Sequence, residues 1–300
     1  MGSAAAARVI PPDGAAGVAE VPAAAALPEP VLQTDYRYAR ADLKVRWLVQ
    51  RFVLPAVTFL AVLLVWQSLH RYVAPELPPP AETWAHAQDI FADPFYDAGP
   101  NDKGIGWQLL YSLGRVLAGF GLAVAVGVPV GLLMGMSQSL RRAWEPLVNI
   151  LRPVSPLAWL PIGLLVFKAV DPSAIFVIFI TCIWPTLINT AAGVRAIPQD
   201  YMNVARVLRL SRWETARRIL LPSIVPHMIT GMRLSLGIAW MVIVAAEMLT
   251  GGIGIGFYVW DEWNNLNVNS IIVAIVLIGL VGILLESLMQ AVQNRLDYNR

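Results

Sequence analysis

RAIPQDYMNVARVLRLSRWETARRILLPSIVP, residues 195–226, decides how the rest of the chain is arranged. Its arginines, Arg195, Arg206, Arg209, Arg212, Arg217 and Arg218, stand between two long apolar runs, so the stretch reads as a water-facing elbow outside a membrane. Asp200 is placed to cap a first short helix from Tyr201 to about Leu210, with Asn203, Arg206 and Arg209 on one polar face. Ser211 and Glu214 have capping-box spacing, so a second helix starts there and carries Trp213, Ala216, Ile219 and Leu220 on one face. Pro222 and Pro226 are expected to end it, because proline lacks the amide donor that a helix interior needs.

Composition excludes an ordinary soluble enzyme. The chain is 57% hydrophobic and 14% charged, against about 25% charged in typical globular domains. Its single cysteine, Cys182, sits in an apolar run and reads as a small buried hydrophobe. His70, His86 and His227 have no partner at ligand spacing, so no metal site is expected.

Outward from the elbow, the apolar runs divide into six membrane crossings. Residues 1–34, rich in Ala and Pro, read as a disordered cytoplasmic tail, and 35–53 as an amphipathic juxtamembrane segment with Arg37, Arg40, Lys44, Arg46 and Arg51 among aromatics. Nucleic-acid binding by those basic residues is not expected beside a spanning helix. The spans are placed at about 54–72, 109–136, 147–170, 174–194, 228–249 and 271–292, within a permease domain of 54–293, and 294–300 form a cytoplasmic end. Gly127, Gly131 and Gly135 recur every fourth residue in the second span, which suits close approach of a neighbouring helix. Pro185 marks a kink in the fourth.

The third span is the hard one. Between Arg152 and Lys168 its uncharged stretch is short and holds Pro153, Pro156 and Pro161, so hydropathy alone reads it as re-entrant. Counting it as a crossing puts sixteen of the 22 lysines and arginines on one side, the elbow and both termini included, as the positive-inside rule requires of the cytoplasm. Without that crossing the elbow would face outward.

The elbow resembles the cytoplasmic loop of bacterial ABC-importer permeases, whose signature runs E-A-A, three residues, G, nine residues, I-x-L-P. Ala205, Ile219, Leu221 and Pro222 fall in register, while Asn203, Val204 and Arg209 stand where the family's Glu, first Ala and Gly usually are. The stretches PSAIFVIFITCIWPTLINTAAGV, IPQDYMNVARVL and VAAEMLTGGIGIGFYVWDEWNNL are similar to the nitrate and bicarbonate branch, and the resemblance extends over about Pro94 to Val292. It implies an all-α integral membrane protein with six transmembrane helices, a type I ABC-importer permease with a cytoplasmic coupling helix. It implies a homodimer in the bacterial cytoplasmic (inner) membrane, both ends cytoplasmic, with ABC ATPase subunits below and a solute-binding protein on the outer face. The substrate implied first is nitrate or nitrite; bicarbonate, cyanate and sulfonates such as taurine follow.

On this reading Asn203, Val204, Ala205, Arg206, Leu208, Arg209, Leu210 and Ser211 couple the chain to an ATPase. The bland alternative is a basic patch resting on anionic lipid. The sequence holds no G-x-x-x-x-G-K-[ST] stretch, so ATP and Mg are expected in partner subunits, with no cofactor and no catalytic group in this chain. The Gly251, Gly252, Gly254, Gly256 cluster has no strand before it and reads as an outer turn, or as a mobile lip over the entrance.

For the substrate path the candidates are Arg115, Arg233, Glu247 and Pro156. A charge inside a bilayer costs about 2.5–3.5 kcal/mol on insertion scales, so each needs a reason. The arginines either snorkel to water or offer an anion a transient positive site. Glu247 would repel an anion unless it is paired, and Pro156 belongs to an irregular segment of the kind that lines cavities. Two other classes stay open on residues alone. A gradient-driven secondary transporter would rest on Glu247 and Glu286 as a thin proton relay. A membrane-embedded enzyme lacks any His, Asp, Ser or Cys constellation at workable spacing.

Overall fold

The protein, seen here as a computed structural model, is described over residues 46–47, 49–100 and 102–296. The expected tail (1–34), most of the juxtamembrane segment and the last four residues lie outside the described residues. The chain divides into two units, Met1–Val62 and Leu63–Arg300.

In the first unit a π turn, Val49–Val53, leads into helix α1, Leu54–Tyr72, which carries over into the second. No residue of α1 is buried, and it is apolar on every side, as a helix surrounded by hydrocarbon should be.

The second unit is built of helices joined by turns, and among its described residues the one β feature is an isolated bridge, Asp97 to Lys103. After α1 come α2 (Pro80–Ala92), α3 (Ile105–Met136), α4 (Gln138–Leu151), α5 (Leu160–Phe167) and α6 (Val170–Arg195). The elbow holds α7 (Gln199–Val207) and α8 (Arg212–Thr215), and α9 (Leu221–Thr250), α10 (Ile255–Asn264) and α11 (Val268–Leu296) complete the order. Among the described residues five helices are long and apolar enough to cross a membrane, and a bent pair makes a sixth candidate.

That pair replaces the single span expected over 147–170. Its halves, Gln138–Leu151 and Pro156–Phe167, are bent by 96°. Ser155 precedes a proline and is pushed into extended backbone (φ −55°, ψ 131°), which ends the first half before the second begins. The first half is an amphipathic helix whose Leu140, Val148 and Leu151 pack with Met134, Trp184 and Leu187 of α3 and α6.

The core is built where α3, α6 and α9 meet, around Val116, Ala123, Ala174, Ile178, Cys182, Ala239 and Ile243. Ala and Cys recur among the larger residues because in lipid there is no hydrophobic drive between helices, and close backbone approach helps to hold them. The glycine row of α3 supplies that approach. A Cβ built on Gly131 would stand 2.7 Å from the Leu187 carbonyl oxygen, and one on Gly135 2.5 Å from Val194 Cβ. Opposite this row, Thr186 Oγ1 and Ser235 Oγ share a hydrogen bond of 2.8 Å, and Ser235 Oγ also donates to the Cys182 carbonyl at 2.8 Å, tying α6 to α9. The helix runs unbroken through Pro185, whose carbonyl accepts from Asn189 Nδ2 at 2.8 Å.

Two expectations about helix ends are corrected. Asp200 lies inside the first turn of α7, with Pro198 at the cap position, so its carboxylate serves the helix dipole there. Pro222 and Pro226 do not end the elbow's second helix, which continues as one helix from Trp213 to Thr250. The reason is the π turn Ala216–Leu220: the Leu221 amide reaches back five residues to Ala216, and Pro222, missing its donor, falls where the register returns to normal. Pro226 is carried within α9, and Thr230 Oγ1 donates to its carbonyl at 2.9 Å.

Candidate functional site

The elbow is locked by local hydrogen bonds. Ser211 N donates to Glu214 Oε2 at 2.9 Å and Glu214 N to Ser211 Oγ at 3.2 Å, a reciprocal capping box. The Ser211 amide and hydroxyl hold the Glu214 carboxyl below its ordinary range. At the end of α7 the chain reverses through Arg209, which takes a left-handed conformation (φ 50°), while Leu210 N donates to the Ala205 carbonyl at 3.0 Å. This is the position at which the family signature carries glycine, and it is the one place in the elbow where a Cβ is unfavourable.

Of the eight residues expected to couple, Asn203, Val204, Arg206, Leu208, Arg209 and Ser211 are exposed together, while Ala205 is buried and Leu210 half-buried as anchors. Val207 (81% exposed) and Trp213 (72%) extend the apolar part of this surface and were not in that set. Apolar side chains at that exposure, flanked by Arg206 and Arg209, give a face with an apolar centre and a basic rim.

A second feature is a cavity of about 350 Å³ bounded by the corner between α4 and α5 and by α6 and α9. Arg152, Pro156 and Trp159 line one wall, with Thr181, Trp184, Asn189, Leu234 and Ile238 opposite. Pro156 is therefore on the cavity.

The other path candidates are elsewhere. Arg115, only 6% exposed, neither snorkels nor offers a free charge. Its Nη1 is 2.5 Å from Glu247 Oε1 and 2.6 Å from the Ile253 carbonyl, and its Nη2 is 2.6 Å from Asp171. Glu247, fully buried, accepts in addition from Ser112 Oγ at 2.8 Å and Gly256 N at 3.0 Å. Gln108 Oε1 accepts from Gly254 N at 2.6 Å, and Ser112 Oγ from Ile255 N at 2.9 Å. The loop after α9 is thus bolted to α3, which corrects the reading of a mobile lip. Its glycines are needed for fit: Gly251 and Gly252 take positive φ (76° and 92°), and a Cβ on Gly254 would collide with the Glu247 carboxylate. Arg233 pairs with Glu286 at 2.7 Å and donates to Gln290, joining α9 to α11.

Sequence reasoning missed Gln108, Ser112 and Asp171, whose partners stand far away along the chain, and it passed over Arg152, whose signal was a cation beside a proline-rich turn. Among the described residues no group of three His, Cys, Asp or Glu is placed to hold a metal.

With this geometry in place, the comparisons with known proteins fall into line. The chain belongs to the family of binding-protein-dependent transport system inner membrane components, which matches residues 127–298. It is 45% identical over 236 residues to the nitrate import permease protein NrtB of Synechocystis sp., covering 79% of this chain and 86% of that protein. It is 44% identical over 246 residues to the bicarbonate transport system permease protein CmpB of Synechococcus elongatus, covering 81% and 88%. Its fold is shared with a chain of the MetNI methionine ABC transporter in an inward-facing conformation: TM-score 0.56, 16% identity, covering 64% of this chain and 97% of that one. The protein is a multi-pass permease subunit of an inner-membrane ABC transport system, with the fold of a type I importer.

Proposed function

We propose that the chain forms, with a second copy of itself, the path by which nitrate is imported at the expense of ATP hydrolysed by partner subunits. The observation that carries this reading is the 45% identity to a nitrate import permease across most of both chains. The near-equal identity to a bicarbonate permease supports a second reading, bicarbonate, and the two share a chemistry: a monovalent planar anion with three oxygens around one atom. Cyanate and sulfonates come behind them.

In this reading the elbow lies in the cytoplasm together with both termini and docks into a groove on each ATPase. Val204, Val207 and Leu208 enter the groove, and Arg206 and Arg209 meet acidic groups at its edge. Ser211 sets the angle at which the second elbow helix leaves. Closure of the ATPase pair then moves α6 and α9, and with them the walls of the cavity. A solute-binding protein hands over the anion at the outer face.

Two measurements test this. Labelled nitrate, bicarbonate, cyanate and taurine are offered to proteoliposomes holding the complex, and nitrate is taken up first and depends on ATP. Leu208→Glu abolishes uptake while the permease stays monodisperse in detergent; uptake at the wild-type rate in that variant would remove the elbow from the coupling role.

A further inference from the structure

We propose that Arg152 is the residue through which the intramembrane cavity recognises a negative charge, and that it sets the charge selectivity of the path. This deepens the anion-import reading and rests on it.

Of the arginines within or at the ends of the membrane segments, Arg152 is the one that lines this cavity, and it differs in pairing from Arg115 and Arg233. Arg115 is neutralised by Glu247 and Asp171, and Arg233 by Glu286. Arg152 has no carboxylate within 4.0 Å among the described residues, is exposed, and lines the cavity. A cation in that setting without a fixed counter-charge is available to a mobile one.

Its position suits the task. Arg152 closes α4 (φ −58°, ψ −43°; N–H to the Val148 carbonyl) at the corner where the helix pair turns by 96°. Opposite it, Thr181 and Asn189 lie ~16 and ~28 Å below the outer end of α6 at 1.5 Å per residue, so the cavity occupies the middle and inner part of the membrane. Asn189 Nδ2 is held by the Pro185 carbonyl and Thr181 Oγ1 by the Val177 carbonyl, so neither polar side chain replaces a cation. The rest of the wall is apolar or aromatic, including Trp159, Trp184, Leu234 and Ile238. One positive group in such a wall attracts a monovalent anion yet holds it weakly enough for release. The competing reading gives Arg152 a purely structural role, countering the dipole at the end of α4; it predicts a change in stability and none in charge selectivity.

The test uses the permease complex with its ATPase subunits in proteoliposomes, nitrate as probe and the liganded binding protein outside. Arg152→Gln lowers ATP-driven nitrate uptake at least tenfold, Arg152→Lys keeps a third or more, and binding-protein-stimulated ATP hydrolysis stays within twofold of wild type in both. Arg152→Cys gives a charge-specific readout, because the native cysteine, Cys182, is buried. A thiol reagent that installs an aminoethyl group restores uptake, and one that installs a sulfonatoethyl group does not. Nitrate uptake by Arg152→Gln at the wild-type rate, or equal effects of the two reagents, overturns the role of Arg152 while leaving the import reading intact. A wild-type complex that moves none of nitrate, bicarbonate or cyanate overturns both.

Discussion

Replacing Arg115 by Met should be among the most damaging single changes in this protein, and the structure says by how much. The substitution keeps length and apolar bulk but leaves the Glu247 carboxylate, 0% exposed, without its cation. Removing one member of a buried pair costs about 3–5 kcal/mol, since the other remains desolvated and uncompensated. The Ile253 carbonyl also loses a donor, worth about 1–3 kcal/mol if nothing replaces it. Asp171, with a side chain 64% exposed, simply rehydrates and adds little. The expected loss is about 4–8 kcal/mol, read as a shift in reversible unfolding in mixed micelles followed by tryptophan fluorescence. The double variant Arg115→Met with Glu247→Met removes both charges and should recover at least about 1.5 kcal/mol relative to the sum of the single changes. An Arg115→Met protein within about 1 kcal/mol of wild type, or strictly additive single effects, would refute the reasoning that this network holds its charges in mutual dependence.

Gly131→Val should destabilise by about 1–3 kcal/mol or more because its Cβ meets backbone, while Gly121→Ala, with nothing within 4 Å, should be neutral or slightly stabilising in the same assay. Arg209→Gly should relieve a left-handed non-glycine residue and slow amide exchange at Leu210 several-fold; unchanged or faster exchange would count against strain at that turn. The elbow should loosen in acid. Glu214 is held below its ordinary range, so its cap contributes fully above the usual carboxylate pKa of about 4.3 and is lost as pH falls through the lower folded value. Glu214→Gln, which has no carboxyl to titrate, should abolish that pH dependence, measured as amide exchange at Ser211 and Glu214.

How much of this was legible in the sequence follows from the range of each signal. The apolar runs were legible because the membrane imposes a length on every crossing segment independently. The capping box was readable because both of its partners lie within four residues. Pro222 and Pro226 misled because a π turn one step earlier changes which amides a helix needs, and no local pattern announces a π turn. The buried network was out of reach: Ser112 and Glu247 are 135 residues apart, and nothing about either residue names the other. Arg152 shows a subtler failure. Its charge was visible, but its place on the cavity and the pairing of Arg115 and Arg233 elsewhere are properties of the folded chain.

The uninterrupted helix from Trp213 to Thr250 has a mechanical consequence. At 1.5 Å per residue it is ~57 Å long, more than the thickness of the hydrocarbon it crosses. One end begins in the elbow, the middle is pinned to its neighbour at Ser235, and Glu247 near the far end is fastened to the loop that follows. A rod held at its waist is a seesaw: if the elbow is the driven end, as proposed above, a sideways push on that tip swings the far tip the opposite way and drags the loop along. The π turn at Ala216–Leu220 is the one irregular turn between that tip and the rod, so on the proposed coupling its stiffness would set how much of a push reaches the far side.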